Sequence, residues 1–175
     1  TDKSNIIEAH TRAEGKVIQI PHDWSETANP AGGIVSNVQD MMTWAKFLMN
    51  DAVSESGERL LSKNGFHELW QLQTPLKVSA NDYYGSNFKG YGLGWFLSDV
   101  KGYKEISHTG GLEGMVTQVT LIPELKLGIV VLTNQQSGAA FTAITNTIKN
   151  SYLEIATVDD VKLYSAREKS MAEVA

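Results

Sequence analysis

The sequence predicts an α+β fold, an antiparallel β-sheet meander flanked by helices. Three observations carry it. Helix-period segments fill the first half, at 36–50 and 62–73; four strand-period segments follow between 91 and 133; and one long helix-period segment runs from about 138 to 155. The connections between the strands are short, which demands antiparallel pairing, because a parallel crossover needs about a dozen residues or more.

Residues 1–27 show no clean periodicity apart from an extended run at 16–20, which Pro21 ends because proline cannot donate to a sheet ladder. The stretch N-P-A-G-G-I at 29–34 reads as a turn by its proline and glycines. Ser36 can cap the first helix, with Gln39 three residues on as a capping box. Met41, Trp44, Ala45 and Leu48 then recur at helical spacing, and Asn50 and Asp51 stop it. In the second helix Phe66, Leu69, Trp70 and Gln73 share one side, and Pro75 ends it. Residues 78–90 read as loop.

Strands are predicted at 91–98, 103–107, 116–122 and 127–133, with a tight turn at 123–126. The apolar run G-I-V-V-L in the last of them predicts a central strand covered on both faces. The final helix carries Phe141, Ile144, Ile148, Tyr152 and Ile155 as an apolar stripe, expected to be buried.

Composition narrows the function classes. At 175 residues the chain is long enough for one domain with a real core, and 42% apolar residues fit a globular protein. A net charge of −5 and the lack of a basic stripe argue against a nucleic-acid partner. No apolar run approaches the ~20 residues a membrane span needs. Without cysteine there is neither a disulfide nor thiolate chemistry. The chain starts at Thr1 without a methionine or a signal-peptide pattern and ends in a polar, helix-prone stretch, so a piece of a longer protein is expected. The expected organisation is one domain over 1–157, with 158–175 a linker or the start of a further C-terminal region.

The stretch I-S-H-T-G-G-L-E-G-M, from Ile106 to Met115, concentrates a histidine, a threonine and three glycines after a strand-like run. A phosphate cradle would need a helix after its glycines, and a strand follows here. A metal half-site would need ligand spacing. The four histidines, His10, His22, His67 and His108, show no i, i+4 pair, so no metal and no cofactor is expected. By composition alone a glycine hairpin turn is the simplest reading. A serine nucleophile has no G-x-S-x-G elbow. Two S-x-x-K matches occur, Ser86 to Lys89 and Ser98 to Lys101. About one is expected by chance, and neither falls on a predicted helix, where lysine could lie a turn from serine and take its proton.

The segments P-A-G-G-I-V-S-N-V-Q-D-M-M-T-W, Y-G-L-G-W and H-T-G-G-L-E-G-M, in that order and spacing, resemble the serine β-lactamase-like superfamily, in the branch of class C β-lactamases, penicillin-binding carboxypeptidases and related esterases. The resemblance runs from Asn5 to about Tyr152 and implies a partial β-lactamase/transpeptidase-like fold, the C-terminal portion of the family's domain. It implies acyl transfer: a serine attacks a carbonyl, forms an acyl-enzyme, and water releases it. His108, Thr109 and Gly110 match the family's Lys/His-Thr-Gly motif at the cleft edge. The resemblance gives His108, Thr109 and Gly111 catalytic roles and Gly110 and Gly111 substrate-binding roles, with the Gly111 N–H as an oxyanion donor. His108 and Thr109 would bond the substrate carboxylate or the tyrosine of the family's second motif. The family's helical S-x-x-K and its Tyr-x-Asn motif are absent from these residues, so the chain alone is expected to be inactive.

The implied partners are a small-molecule or peptide substrate, plus self-association or an N-terminal fragment covering the exposed core. The implied location is periplasmic or otherwise exported. The rival reading is a non-catalytic binding or scaffold module that keeps the fold.

Overall fold

A computed structural model describes residues 5–21, 25–112, 114–156 and 158–174. In chain order it contains β1 (Ala9–Ala13), β2 (Lys16–Ile20), α1 (Asn29–Gly32), α2 (Val38–Met49), α3 (Lys63–Leu69), β3 (Thr74–Leu76), β4 (Lys89–Tyr91), β5 (Phe96–Val100), β6 (Tyr103–Leu112), β7 (Met115–Ile122), β8 (Leu127–Thr133), α4 (Gly138–Tyr152) and α5 (Asp160–Val174). β1 and β2 form a two-stranded antiparallel sheet, and the other strands form a six-stranded sheet in the order β3-β4-β5-β6-β7-β8. The fold is α+β, with an antiparallel sheet and flanking helices, as expected.

Local chemistry accounts for the helix starts. Asn37, not Ser36, caps α2: its Oδ1 accepts the Asp40 N–H at 3.0 Å, and its Nδ2 donates to the Asp40 carboxylate at 2.8 Å. The cap is displaced by one residue because asparagine can serve both ends of the turn at once. Ser62 caps α3 by accepting the Gly65 N–H at 3.0 Å. α3 is shorter than its periodicity predicts. Pro75 lies within β3, an edge strand, where its missing N–H costs no ladder bond.

Periodicity predicts one strand over 91–98, but the structure has two. Gly92 to Trp95 form a tight reversal between β4 and β5, with the Gly92 N–H donating to the Trp95 carbonyl at 2.8 Å and Gly94 at φ +80°. β5 and β6 are joined through Lys101 and Gly102, both at positive φ, the conformation of a two-residue hairpin loop. β6 continues through the glycines to Leu112, so His108, Thr109, Gly110 and Gly111 belong to a strand and not to a turn.

The chain divides into two compact units. In one, Asn37–His108 with Val119–Val130, α2 and α3 cover the sheet. Ala45 and Leu48 of α2 and Phe66 of α3 pack with Trp95, Leu97, Ile106, Val119 and Leu121. Ladder partners such as Leu97 and Ile106 point the same way, so period-2 alternation builds this layer.

In the other unit, β1 is tied to its surroundings by backbone bonds: the His10 N–H donates to Gly114 O, and the Gln136 N–H to His10 O, each at 3.2 Å. The buried residues of α4 are Ala143, Thr145, Lys149 and Asn150. Thr145 Oγ1 donates to the Gln118 amide oxygen at 3.3 Å, and Asn150 Nδ2 donates to Asp160 of α5 at 3.3 Å.

Two expectations fail here. The stripe Ile144, Ile148 and Tyr152 is exposed rather than buried, because small and polar residues satisfied by β7 and α5 fill the covered side of α4. β8 lies at the edge of the described sheet, not at its centre, although its sequence is apolar on both faces. His22 and Thr157, the latter the expected domain boundary, lie outside the described residues.

Candidate active site around His108

β6 carries the whole His-Thr-Gly-Gly run. His108 Nε2 and the Tyr91 hydroxyl share a hydrogen bond of 2.9 Å. The hydroxyl donates when the imidazole proton sits on Nδ1 and accepts in the other tautomer. The Phe96 ring stacks on the imidazole at 5.7 Å between centroids, and Tyr91 meets Phe96 edge-on at 4.8 Å. Tyr91 and Phe96 are ladder partners, so β4 and β5 together fix the ring of His108.

Each glycine of the Y-G-L-G-W segment has a separate reason. A methyl group on Gly92 would fall 2.7 Å from the Leu69 carbonyl and 2.8 Å from that of Gln71, both backbone groups at the C-terminal end of α3 and just beyond it. Gly94 occupies the left-handed region that disfavours side chains. Trp95 then stacks on Trp44 of α2, with centroids 5.3 Å apart and planes at 19°. The segments that carried the family resemblance therefore meet in space: Trp44 touches Trp95, and Tyr91 touches His108.

Thr109, Gly110 and Gly111 are exposed and belong to the unit that also holds 115–118. A Cβ on Gly110 would sit 2.5 Å from Thr117 Oγ1 of β7, so the strand pair needs glycine there. A Cβ on Gly111 would meet nothing within 4 Å, which leaves that stretch of backbone open to approach. At Gly114, φ is +74°, and a side chain would collide with His10 N, Ala9 and Ile20.

The S-x-x-K matches do not form nucleophile–base pairs. Ser86 lies in a loop, where its hydroxyl and backbone N–H both donate to Asp82 Oδ2, at 2.9 and 3.0 Å. Lys89 makes an ion pair with the same carboxylate. Burial pushes the Asp82 carboxyl up, but the bonds from Lys89 and Ser86 outweigh it and hold it well below the usual carboxylate range. Ser98 lies within β5, and Lys101 is in the hairpin turn.

Asp99 of β5 was not singled out by its sequence context. Its buried carboxylate accepts the Asn87 N–H at 2.6 Å, the Asn87 side-chain amide at 2.7 Å and the Phe88 N–H at 3.0 Å. Desolvation raises its carboxyl, and these donors reverse the shift to a net lowering. No group of three or more His, Cys, Asp or Glu suited to a metal ion occurs among the described residues.

The Beta-lactamase family profile matches residues 4–153. The chain belongs to the beta-lactamase family. Among curated relatives, it is 28% identical over 148 residues to the unguisins hydrolase ungD' of Aspergillus campestris, covering 82% of this chain and 26% of that protein. It is 25% identical over 132 residues to penicillin-binding protein 4 of Amycolatopsis lactamdurans, covering 75% of this chain and 33% of that one. Among solved structures, the octameric penicillin-binding protein homologue from Pyrococcus abyssi matches with a TM-score of 0.60 at 19% identity, over 85% of this chain and 32% of that one. The beta-lactamase-family chain thus spans about a quarter to a third of the length of these relatives. Its fold is that of the penicillin-binding protein and β-lactamase group.

Proposed function

We propose that the chain is the C-terminal portion of a serine hydrolase that cleaves amide or ester bonds through an acyl-serine intermediate, in the branch of class C β-lactamases, penicillin-binding carboxypeptidases and esterases. The observation that carries the reading is the His108–Tyr91 bond, which holds the first residue of the His-Thr-Gly run in a fixed orientation on an exposed strand. In this reading the Gly111 N–H is one oxyanion donor, a group whose removal in such sites costs about 2.7–4 kcal/mol of transition-state stabilisation. Gly110 and Gly111 let the substrate backbone approach, and His108 and Thr109 bond its carboxylate or the second-motif tyrosine. The nucleophile and its base come from the residues ahead of Thr1. The names of the relatives, a hydrolase and a penicillin-binding protein, favour a peptide-like or β-lactam substrate and an exported enzyme.

The test is acylation of the longer protein by a fluorescent penicillin. The expected result is a single labelled serine upstream of Thr1, with labelling about 10- to 100-fold slower in His108→Ala, since a misplaced positioning group costs up to about that much. A longer protein with neither S-x-x-K nor labelling would leave the binding or scaffold module standing instead.

The same reading implies a covering partner for β8 and for Ile144, Ile148 and Tyr152 of α4. A long apolar strand at a sheet edge templates pairing, and bare apolar patches associate. The purified chain should therefore run as dimers or larger species in light scattering, and a stable monodisperse monomer would count against it. The Pyrococcus abyssi homologue, itself octameric, is in keeping with that expectation.

A further inference from the structure

A concavity lies at the Tyr103 end of β6, away from His108. It has a volume of about 400 Å³ and is walled by α3, the segment that follows α2, and Lys104 of β6. Lys104 and His108 are four residues apart on one strand, roughly 13 Å at the usual rise per residue. All its lining residues belong to the same compact unit.

Its chemistry runs against that of the chain as a whole. The chain carries a net charge of −5, yet this wall gathers Arg59, Lys63 and Lys104 against the single carboxylate of Asp51. The cations have spare donors. The Lys104 ammonium donates to the Trp70 carbonyl at 2.6 Å, and an ammonium has three donors. Arg59 donates one N–H to the Asp51 carbonyl at 2.6 Å, out of five on a guanidinium. Neither forms an ion pair among the described residues. Burial also lowers the pKa of Lys104, with Glu124 opposing, so its ammonium stands to gain from an anion that would restore the lost solvation.

The rest of the wall is aromatic. Phe66 and Trp70 meet edge-to-face at 4.8 Å, and the Lys104 ammonium lies 5.9 Å from the centroid of the Trp70 ring. Flat apolar surface beside cations suits a flat ligand with an anionic end.

We infer that this concavity binds a small aryl carboxylate, at a site separate from the His-Thr-Gly run. The ring lies against Phe66 and Trp70, and the carboxylate meets Lys104 and Arg59. The inference does not depend on the hydrolase reading, because it uses no residue of the His108 cluster.

The experiment is isothermal titration of the purified chain with 2-naphthoate, with the neutral 2-naphthalenemethanol as the uncharged probe and inorganic phosphate as the ring-free anion. The expected result is saturable binding of naphthoate, at least about tenfold weaker binding of the alcohol, and weaker binding of phosphate. Arg59→Gln and Lys104→Met should each weaken naphthoate about five- to tenfold, with the far-ultraviolet circular dichroism unchanged. Arg59 is exposed, so its variant reports on binding even if Lys104→Met disturbs the fold. No saturable naphthoate binding, equal affinity for the alcohol, tighter binding of phosphate, or indifference to Arg59→Gln would each overturn the inference.

Discussion

Purified by itself, the 175-residue chain should turn over neither a chromogenic cephalosporin nor a p-nitrophenyl ester above the buffer rate. An acyl-serine enzyme loses about 10⁶ in kcat when its serine nucleophile is removed, more than any single binding contact contributes. On the proposed reading, His108 and Gly111 would only bind and position substrate, and neither supplies a nucleophile. The serines with a lysine three residues on do not substitute. Ser86 donates to Asp82, whose carboxyl is held too far below its usual range to accept a proton at neutral pH. Lys89 is engaged by the same carboxylate and does not face the Ser86 hydroxyl as a free base. Turnover that follows the chain through purification and vanishes in Ser86→Ala would place a nucleophile in this loop and overturn the assignment.

Where the fold was legible, the signal was local. The bounds of β2 and β8 follow from short runs of extended, apolar residues, and the start of α3 falls within a residue of where helical spacing begins. What sequence could not give was non-local. An apolar run such as L-G-I-V-V-L-T states that a strand wants cover, but the neighbour that supplies it is a property of sheet order. Helical spacing on α4 located an apolar stripe correctly and assigned it the wrong environment. The covered side is made of Ala143, Thr145, Lys149 and Asn150, of which Thr145 and Asn150 are tolerable inside because Gln118 and Asp160 pair with them.

The site divides in the same way. His-Thr-Gly was visible as a motif, and Y-G-L-G-W was visible as a second one. That Tyr91 is the partner of His108 is a consequence of the sharp reversal at Gly92–Trp95, which periodicity smoothed into a single strand. The reasons for Gly92 and Gly110 lie in carbonyls and a threonine that are distant or only later in the chain.

Replacing Asp99 should destabilise the chain more than a typical polar substitution does. Its carboxylate gathers three N–H donors, two of them backbone groups of Asn87 and Phe88. Alanine would leave those donors without their acceptor, at a cost of about 3 kcal/mol, and asparagine, which keeps one acceptor oxygen, about 2 kcal/mol. Urea unfolding followed by tryptophan fluorescence measures both.

The pH dependence has a definite sign. The folded carboxyl titrates below its unfolded value, so its contribution is complete above the unfolded pKa and is lost as pH falls through the folded one. The gap between wild type and Asp99→Asn should therefore be full at neutral pH and narrow progressively below about pH 4. A gap that stayed constant down to strong acid would show that packing, and not the charged acceptor, carries the effect.

The consequence reaches the site. Asn87 and Phe88 lead directly into β4, and Lys89 is tied down by Asp82 from the same loop. Releasing the Asp99 anchor frees the strand that presents Tyr91 to His108. In the longer protein, Asp99→Asn should slow acylation by a fluorescent penicillin at temperatures where the chain is still folded. The slowing should be smaller than that of His108→Ala, because the imidazole stays and only its tyrosine partner is loosened.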